Sequence, residues 1–234
     1  MSALQTKQLK FAVPGLGDVS RSVSGLLQAP SKARACYVLA HGAGAGMKHK
    51  FLERVSAELA ARGIASLRYQ FPYMEAGAKR PDSPKLAQAA VRAAVAEAAR
   101  LLPRLPLIAG GKSFGGRMTS QAQAQEPLEN VRGLAFLGFP LHAAGKPSAD
   151  RGGHLFDIRV PMLFLQGTRD ALADLTELEP LIVALKPRAT LKLLKSADHS
   201  FHVPAKSGRD DRQVMTEAMD GLAAWIDGVL SAGP

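Results

Sequence analysis

From Cys36 onward, apolar runs of strand length alternate with segments whose apolar residues recur at helical spacing. Strands separated by helices join side by side through crossovers, so this alternation predicts a mostly parallel α/β sheet. The strand candidates are Ala35–Ala40, Ile64–Tyr69, Leu105–Ala109, Leu134–Leu137, Met162–Leu165 and Leu191–Leu194. Two earlier runs, Lys7–Val13 and Ser22–Leu27, read as an antiparallel opening hairpin, although Gly and Ser interrupt their pattern.

Helices are expected between these strands. Phe51, Leu52, Val55 and Leu59 share one face before the stop signal of Gly63. Ser83-Pro84 combines an N-cap with proline at the first helical position, and the Ala-rich stretch through Leu102 ends at Pro103. Further helices start at Ser113–Phe114, lie near Leu175–Leu185, and span about 210–230, where Met215, Met219, Leu222, Ile226 and Val229 share a face. The stretch from Pro140 to Val160 has no clear period and reads as an excursion or cover loop, since irregular segments of that length tend to be functional. With neither repeat nor linker, residues 1–234 are expected to form a single domain.

Hydrophobic residues make up 47% of the 234, which suffices for a sizeable core. No apolar run approaches the roughly 18–20 uncharged residues that cross a bilayer, and residues 1–10 lack the apolar centre of a secretory signal. A soluble cytoplasmic protein without a membrane partner is the expectation. Cys36 is the sole cysteine, so neither an internal disulfide nor a Cys-based zinc site can form. Lys plus Arg 30 against Asp plus Glu 20 gives +10, but the charge is spread out and carries no aromatic ladder. A dedicated nucleic-acid reader is therefore not expected.

Gly111-Lys112-Ser113-Phe114-Gly115 follows one predicted strand and opens a helix, which gives the pattern G-x-S-x-G a mechanism. A strand turning into a helix within a few residues strains the serine backbone, and the flanking glycines remove Cβ atoms that would clash. The hydroxyl then stands at the carboxyl end of the sheet, where the helix N-terminus offers N–H groups to an oxyanion. Two rival motifs fail on spacing. A phosphate-binding loop ending at Lys112-Ser113 needs glycine where Pro106 stands, and a dinucleotide fingerprint from Gly42 and Gly44 would place its third glycine on Met47.

A serine hydroxyl needs a general base. His199, in the loop after Leu191–Leu194, is the choice among six histidines, with His202 the competitor; His142 and His154 read as surface residues and His49 as an exposed helix start. Asp170, in the turn after Met162–Leu165, is placed to orient the imidazole, while Asp174 and Asp198 stay open. For the oxyanion, the amide of Phe114 and that of Ala43 in His41-Gly42-Ala43-Gly44 are the expected donors, with Gly42 the fallback and the His41 ring a loop brace.

Taken together, His41-Gly-Ala-Gly44, the Gly111–Gly115 turn, Asp170 and His199, in that order, resemble the α/β-hydrolase superfamily. Within it the chain is most similar to the small dienelactone-hydrolase-like proteins, the similarity extending to Phe139-Pro-Leu-His142 and Val160-Pro-Met-Leu-Phe164. The resemblance implies a twisted sheet of about eight strands with helices on both faces, a minimal lid, and Ser113, Asp170 and His199 as a catalytic triad. It departs from dienelactone hydrolases proper, which use cysteine where this chain has Ser113.

The expected function is a serine hydrolase cleaving an ester or related acyl bond through an acyl-enzyme, with no cofactor and no metal. Its partner would be a small acyl substrate lying on Phe71, Tyr73, Lys112 and Phe139, and Lys112, Arg117, Lys79 and Arg80 would make the rim favour anionic compounds. The rival expectation is a catalytically silent hydrolase-fold interaction module. The sequence leaves the oligomeric state open.

Overall fold

A computed structural model describes residues 6–14 and 21–232. Its strands are β1 (Thr6–Val13), β2 (Arg21–Gln28), β3 (Ala35–Ala40), β4 (Ile64–Tyr69), β5 (Leu107–Lys112), β6 (Val131–Leu137), β7 (Met162–Gly167) and β8 (Ala189–Leu194). They form one sheet in the order β1-β2-β4-β3-β5-β6-β7-β8. β1 and β2 pair antiparallel, as do β2 and β4, whereas β3 to β8 all run parallel.

The helices are α1 (Lys50–Ala61), α2 (Pro72–Glu75), α3 (Pro84–Leu101), α4 (Phe114–Gln125), α5 (Leu175–Leu185) and α6 (Asp211–Ser231). Alternate residues of each strand feed opposite layers, as the two-residue side-chain period requires. Tyr37 and Leu39 of β3 meet Leu52 and Val55 of α1 and Met219 and Leu222 of α6. Cys36 and Val38 of the same strand face the layer holding α3, α4 and α5, where Phe136, Phe139 and Phe164 stack at centroid distances of 4.8–5.6 Å. Cys36 is fully buried there, and burial pushes its thiol up to about 12. None of the helices among the described residues is long and apolar enough to cross a membrane.

Strand order determines where a site can form. The chain runs from β3 outward to β4, then crosses back over β3 to β5, so the direction of winding reverses between β3 and β5. At such a reversal the loops leaving the two carboxyl ends diverge and open a crevice. Ala40 pairs with Gly111, so both loops leave at the same level.

Three elements differ from the expectations. β5 runs to Lys112 rather than ending at Ala109, because Gly110 and Gly111 have no side chains to register as apolar yet pair with Leu39 and Ala40 on one side and Ala135 and Phe136 on the other. The short helix α2 arises from Pro72 at its first position, with no preceding apolar period to announce it. The 140–160 excursion is packed rather than loose: a 3-10 segment, Asp150–Asp157, contacts α4 and α5, and Leu141, Leu155 and Ile158 are buried.

The junction of β5 and α4 leaves no room for side chains. A Cβ on Gly115 would lie 2.6 Å from both the Ala40 Cβ and the His41 carbonyl oxygen. Gly115→Ala is expected to destabilise the fold by at least the roughly 1–3 kcal/mol of an overpacked core site, read as a lower urea midpoint at unchanged slope. An unchanged midpoint would contradict this packing.

Candidate active site

Ser113 sits between β5 and α4 with φ 51° and ψ −117°, a strained left-side conformation for a residue with a side chain. The strain holds because β5 is pinned on both edges and Gly111, at φ 152°, brings its Cα to within van der Waals reach of Ala40, where a Cβ would be 2.3 Å from the carbonyl oxygen. The first intrahelical bond runs from Arg117 N to Ser113 O at 3.1 Å, which places the Phe114 amide among the free donors of the first turn. Across the crevice, the loop after β3 is braced from below. His41 is fully buried, its Nε2 accepts from Phe71 N at 3.1 Å and its Nδ1 lies 2.8 Å from Gly42 O. The Tyr73 hydroxyl accepts from Gly44 N at 2.9 Å.

His199 and Asp170 meet at the third edge of this space. His199 Nδ1 lies 2.7 Å from Asp170 Oδ2, and the carboxylate is further held by Gln166 Nε2 at 2.5 Å and Leu172 N at 2.8 Å. Gln166 is itself fixed, since its Oε1 accepts from Phe139 N at 2.9 Å. The Asp170 side chain is wholly buried, so the imidazole is tied to a carboxylate that water does not reach. The other ring nitrogen, Nε2, is buried without a hydrogen-bond partner among the described residues.

Ser113 and His199 line one cavity of about 350 Å³, together with Gly42, Ala43, Ala45, His49, Phe51, Leu52, Lys112, Leu172 and Ser200. Apart from Ser113, the imidazoles and Ser200, the side chains that meet there are apolar or carry apolar stems. No residue of the 140–160 excursion is among them, so the segment expected to cover the site packs elsewhere.

The open alternatives separate on their contacts. Asp174 caps α5 by accepting from Thr176 N at 2.9 Å, and Asp198 accepts from Ser200 N and His202 N within its own loop. His202 forms an exposed ion pair with Asp211 at 2.9 Å. His142, expected at the surface, is 4% exposed and accepts from Asp174 N through Nε2. His154, also expected there, lies 2.7 Å from the Ser120 hydroxyl, but Ser120 is fully buried and so offers no hydroxyl to a substrate. That contact ties the excursion to α4.

Of the four expected substrate-binding residues, only Lys112 borders the cavity. Phe71, Tyr73 and Phe139 are corrected to core positions: Phe71 packs edge-on against His41, Tyr69 and Phe114, Tyr73 braces the Gly44 amide, and Phe139 lies among Phe136 and Phe164. Strand and turn placement predicted proximity to the site, but not on which side of the loop each ring would fall. Lys112 is not a rim cation either. Its ammonium points inward and donates to His199 O at 2.6 Å, and burial brings it down to about 8 despite the nearby charges of Asp170 and Asp198. Gln166 carries one signal in the sequence, an amide closing the otherwise apolar run Met162-Leu-Phe-Leu165, four residues before Asp170. Phe51, Leu52, Leu172 and Ser200 line the cavity without a local sequence signal that marks them for it.

The fold is shared with known proteins. The model of the alpha/beta hydrolase domain family matches residues 33–227, and the chain belongs to that family. Among solved structures, it is similar to an α/β serine hydrolase without a lid from Xanthomonas campestris, at 20% identity over 94% of this chain and 95% of the other, with a TM-score of 0.72. It is similar to a dienelactone hydrolase from Anabaena variabilis, at 19% identity over 96% and 98%, with a TM-score of 0.71. An esterase domain from Rhodothermus marinus gives 17% identity over 95% and 98%, with a TM-score of 0.67. At these identities the likenesses establish the shared fold.

The buried His41 brace carries a pH signature. Burial holds its imidazole down at about 4, only partly offset by the Gly42 carbonyl, against 6.5 for a free histidine. The unfolded chain therefore takes up a proton that the folded chain refuses, so this contribution to stability is intact above pH 6.5 and is lost as pH falls towards 4. It should amount to about 3 kcal/mol between pH 7 and pH 4. Urea unfolding at both pH values should show His41→Gln, though less stable at pH 7, losing correspondingly less on acidification.

Proposed function

We propose that the protein is a serine hydrolase that cleaves an ester or related acyl bond through an acyl-enzyme on Ser113. The observation that carries this reading is the state of His199: one ring nitrogen bonded to buried Asp170, the other unpartnered in the cavity that Ser113 lines. Nδ1–H on the carboxylate leaves Nε2 as the acceptor, the tautomer a general base requires. In this reading His199 takes the Ser113 proton as the hydroxyl oxygen attacks the acyl carbon. The Phe114 and Ala43 amides receive the charge on the tetrahedral oxygen. His199 then returns the proton to the leaving group, and water repeats the sequence to free the acid. Asp170 keeps the ring's orientation and offsets the charge of the imidazolium. No step calls on a metal or cofactor.

Support for an acyl substrate of modest size comes from the cavity, whose roughly 350 Å³ lies at the small end of small-molecule sites. Ala43, Ala45, Phe51, Leu52 and Leu172 suit an unbranched apolar acyl chain. The inward turn of Lys112 removes one ground for a preference for anionic substrates.

A fluorophosphonate probe should label the wild type and leave Ser113→Ala and His199→Ala unlabelled. Absence of labelling in folded wild type would favour a silent hydrolase-fold interaction module. In a panel of esters, kcat/KM should fall beyond medium acyl chains, and Asp170→Asn should lower kcat by roughly 10³–10⁴ through the wrong imidazole tautomer.

A further inference from the structure

The geometry points to Lys112 as a positioning residue for His199: its ammonium, seated beneath the loop of residues 196–202, holds the His199 carbonyl and so fixes the depth and direction of the imidazole. This rests on the reading of Ser113 as nucleophile and His199 as base.

Lys112 is the last residue of β5 and immediately precedes Ser113, so the strand that presents the hydroxyl also directs this side chain. It does not extend into solvent. Nζ donates to His199 O at 2.6 Å and lies 5.9 Å from the ring centroids of both Phe51, on α1, and Phe201, in the loop itself. The two rings pack edge-on at 5.4 Å and close the space around the ammonium. On the remaining side Gly138 follows β6, and a Cβ there would stand 2.9 Å from Nζ and 3.3 Å from His199 Nδ1. Three separate elements thus leave room for one cation against one peptide group.

The loop it holds is pinned by its own bonds on either side of the His199 carbonyl. Ser196 and Phe201 both adopt positive φ, at 63° and 64°, and the backbone is pinned by Ser196 N to Thr168 Oγ1 at 2.9 Å, Ala197 N to Leu194 O at 3.2 Å, Arg169 N to Ala197 O at 2.8 Å, Asp198 N to His202 O at 2.9 Å and the Asp198 carboxylate on Ser200 N and His202 N. Of these, the Asp198 carboxylate reaches the peptide group between His199 and Ser200 on its N–H side, and Lys112 holds the carbonyl side. Asp170 fixes one ring nitrogen, but a single hydrogen bond leaves the ring free to pivot about it; the bond from Lys112 to the carbonyl of the same residue fixes the other end of the lever. A hydrogen bond from a charged donor is stronger than a neutral one.

The charged and titratable groups facing the ammonium are Asp170 from the turn after β7 and Asp198 from the loop, with His199 and His49 bordering the same cavity. The carboxylates favour the ammonium, while burial outweighs them. Since the ammonium loses its proton near pH 8, the charged bond is complete below that pH and weakens above it.

The test compares the rate of fluorophosphonate labelling of wild type, Lys112→Met and Lys112→Arg between pH 6 and pH 10, with thermal unfolding of each. Lys112→Met keeps an unbranched apolar stem out to the ε position but neither charge nor donor. It is expected to label about ten- to a hundredfold more slowly at pH 7, with kcat for a short ester reduced in step and KM nearly unchanged. The decline in wild-type rate above pH 8 should be missing from Lys112→Met. Lys112→Arg, which keeps a charged donor at all these pH values, should recover part of the rate and also lack the decline.

Labelling of Lys112→Met at the wild-type rate across the range overturns the positioning role and leaves the hydrolase reading standing. So does a folded Lys112→Arg that labels no faster than Lys112→Met. A wild type that takes no label overturns the hydrolase reading itself, and the positioning role with it.

Discussion

The close lateral contact of β3 with β5 is the constraint on which the rest of the molecule depends. Ala40 and Gly111 are paired with no space for a Cβ between them, and Gly115 brings the start of α4 against the same residue. Two chain segments that leave a sheet this close together have to diverge at once. One becomes the Gly42–Gly46 loop and the other the strained turn at Ser113. The crevice between them is therefore a by-product of winding order and of two missing side chains, before any polar group is considered.

What is then added to that crevice is arranged in layers, each held from behind. His199 is tied to Asp170, Asp170 to Gln166, and Gln166 to the amide of Phe139. The glycine loop rests on His41 and Tyr73, whose rings lie 6.1 Å apart, and His41 is in turn packed on Phe71. Buried polar groups are costly when unpaired, so such chains resist partial rearrangement: moving one member strands the next.

The parts legible in the sequence are those governed by periodicity and by local backbone chemistry. Each strand from β3 to β8 is an apolar run, α3 carries Ser83-Pro84 at its start, and Gly111 to Gly115 encodes its own turn. The pairing of His199 with Asp170 rather than with Asp174 or Asp198 follows from which loops the sheet brings together, and chain order was enough to suggest it. Side-chain direction within loops was not legible. Phe71, Tyr73 and Phe139 are near the site in the chain but turn into the core, and Lys112 turns beneath a loop 87 positions away. The 140–160 stretch misled for a related reason: its buried Leu141, Leu155 and Ile158 are spaced to fit a surface already formed by α4 and α5, and no repeat along the chain reflects that surface.

The environment of Cys36 has a practical consequence. With its sulfur sealed inside the central strand and its proton held until strongly alkaline conditions, the chain offers no thiolate to an alkylating or oxidising reagent at neutral pH. An electrophile that becomes attached to the native molecule must have found a nucleophile other than this thiol, and peroxide or air should leave the folded chain without disulfide-linked pairs.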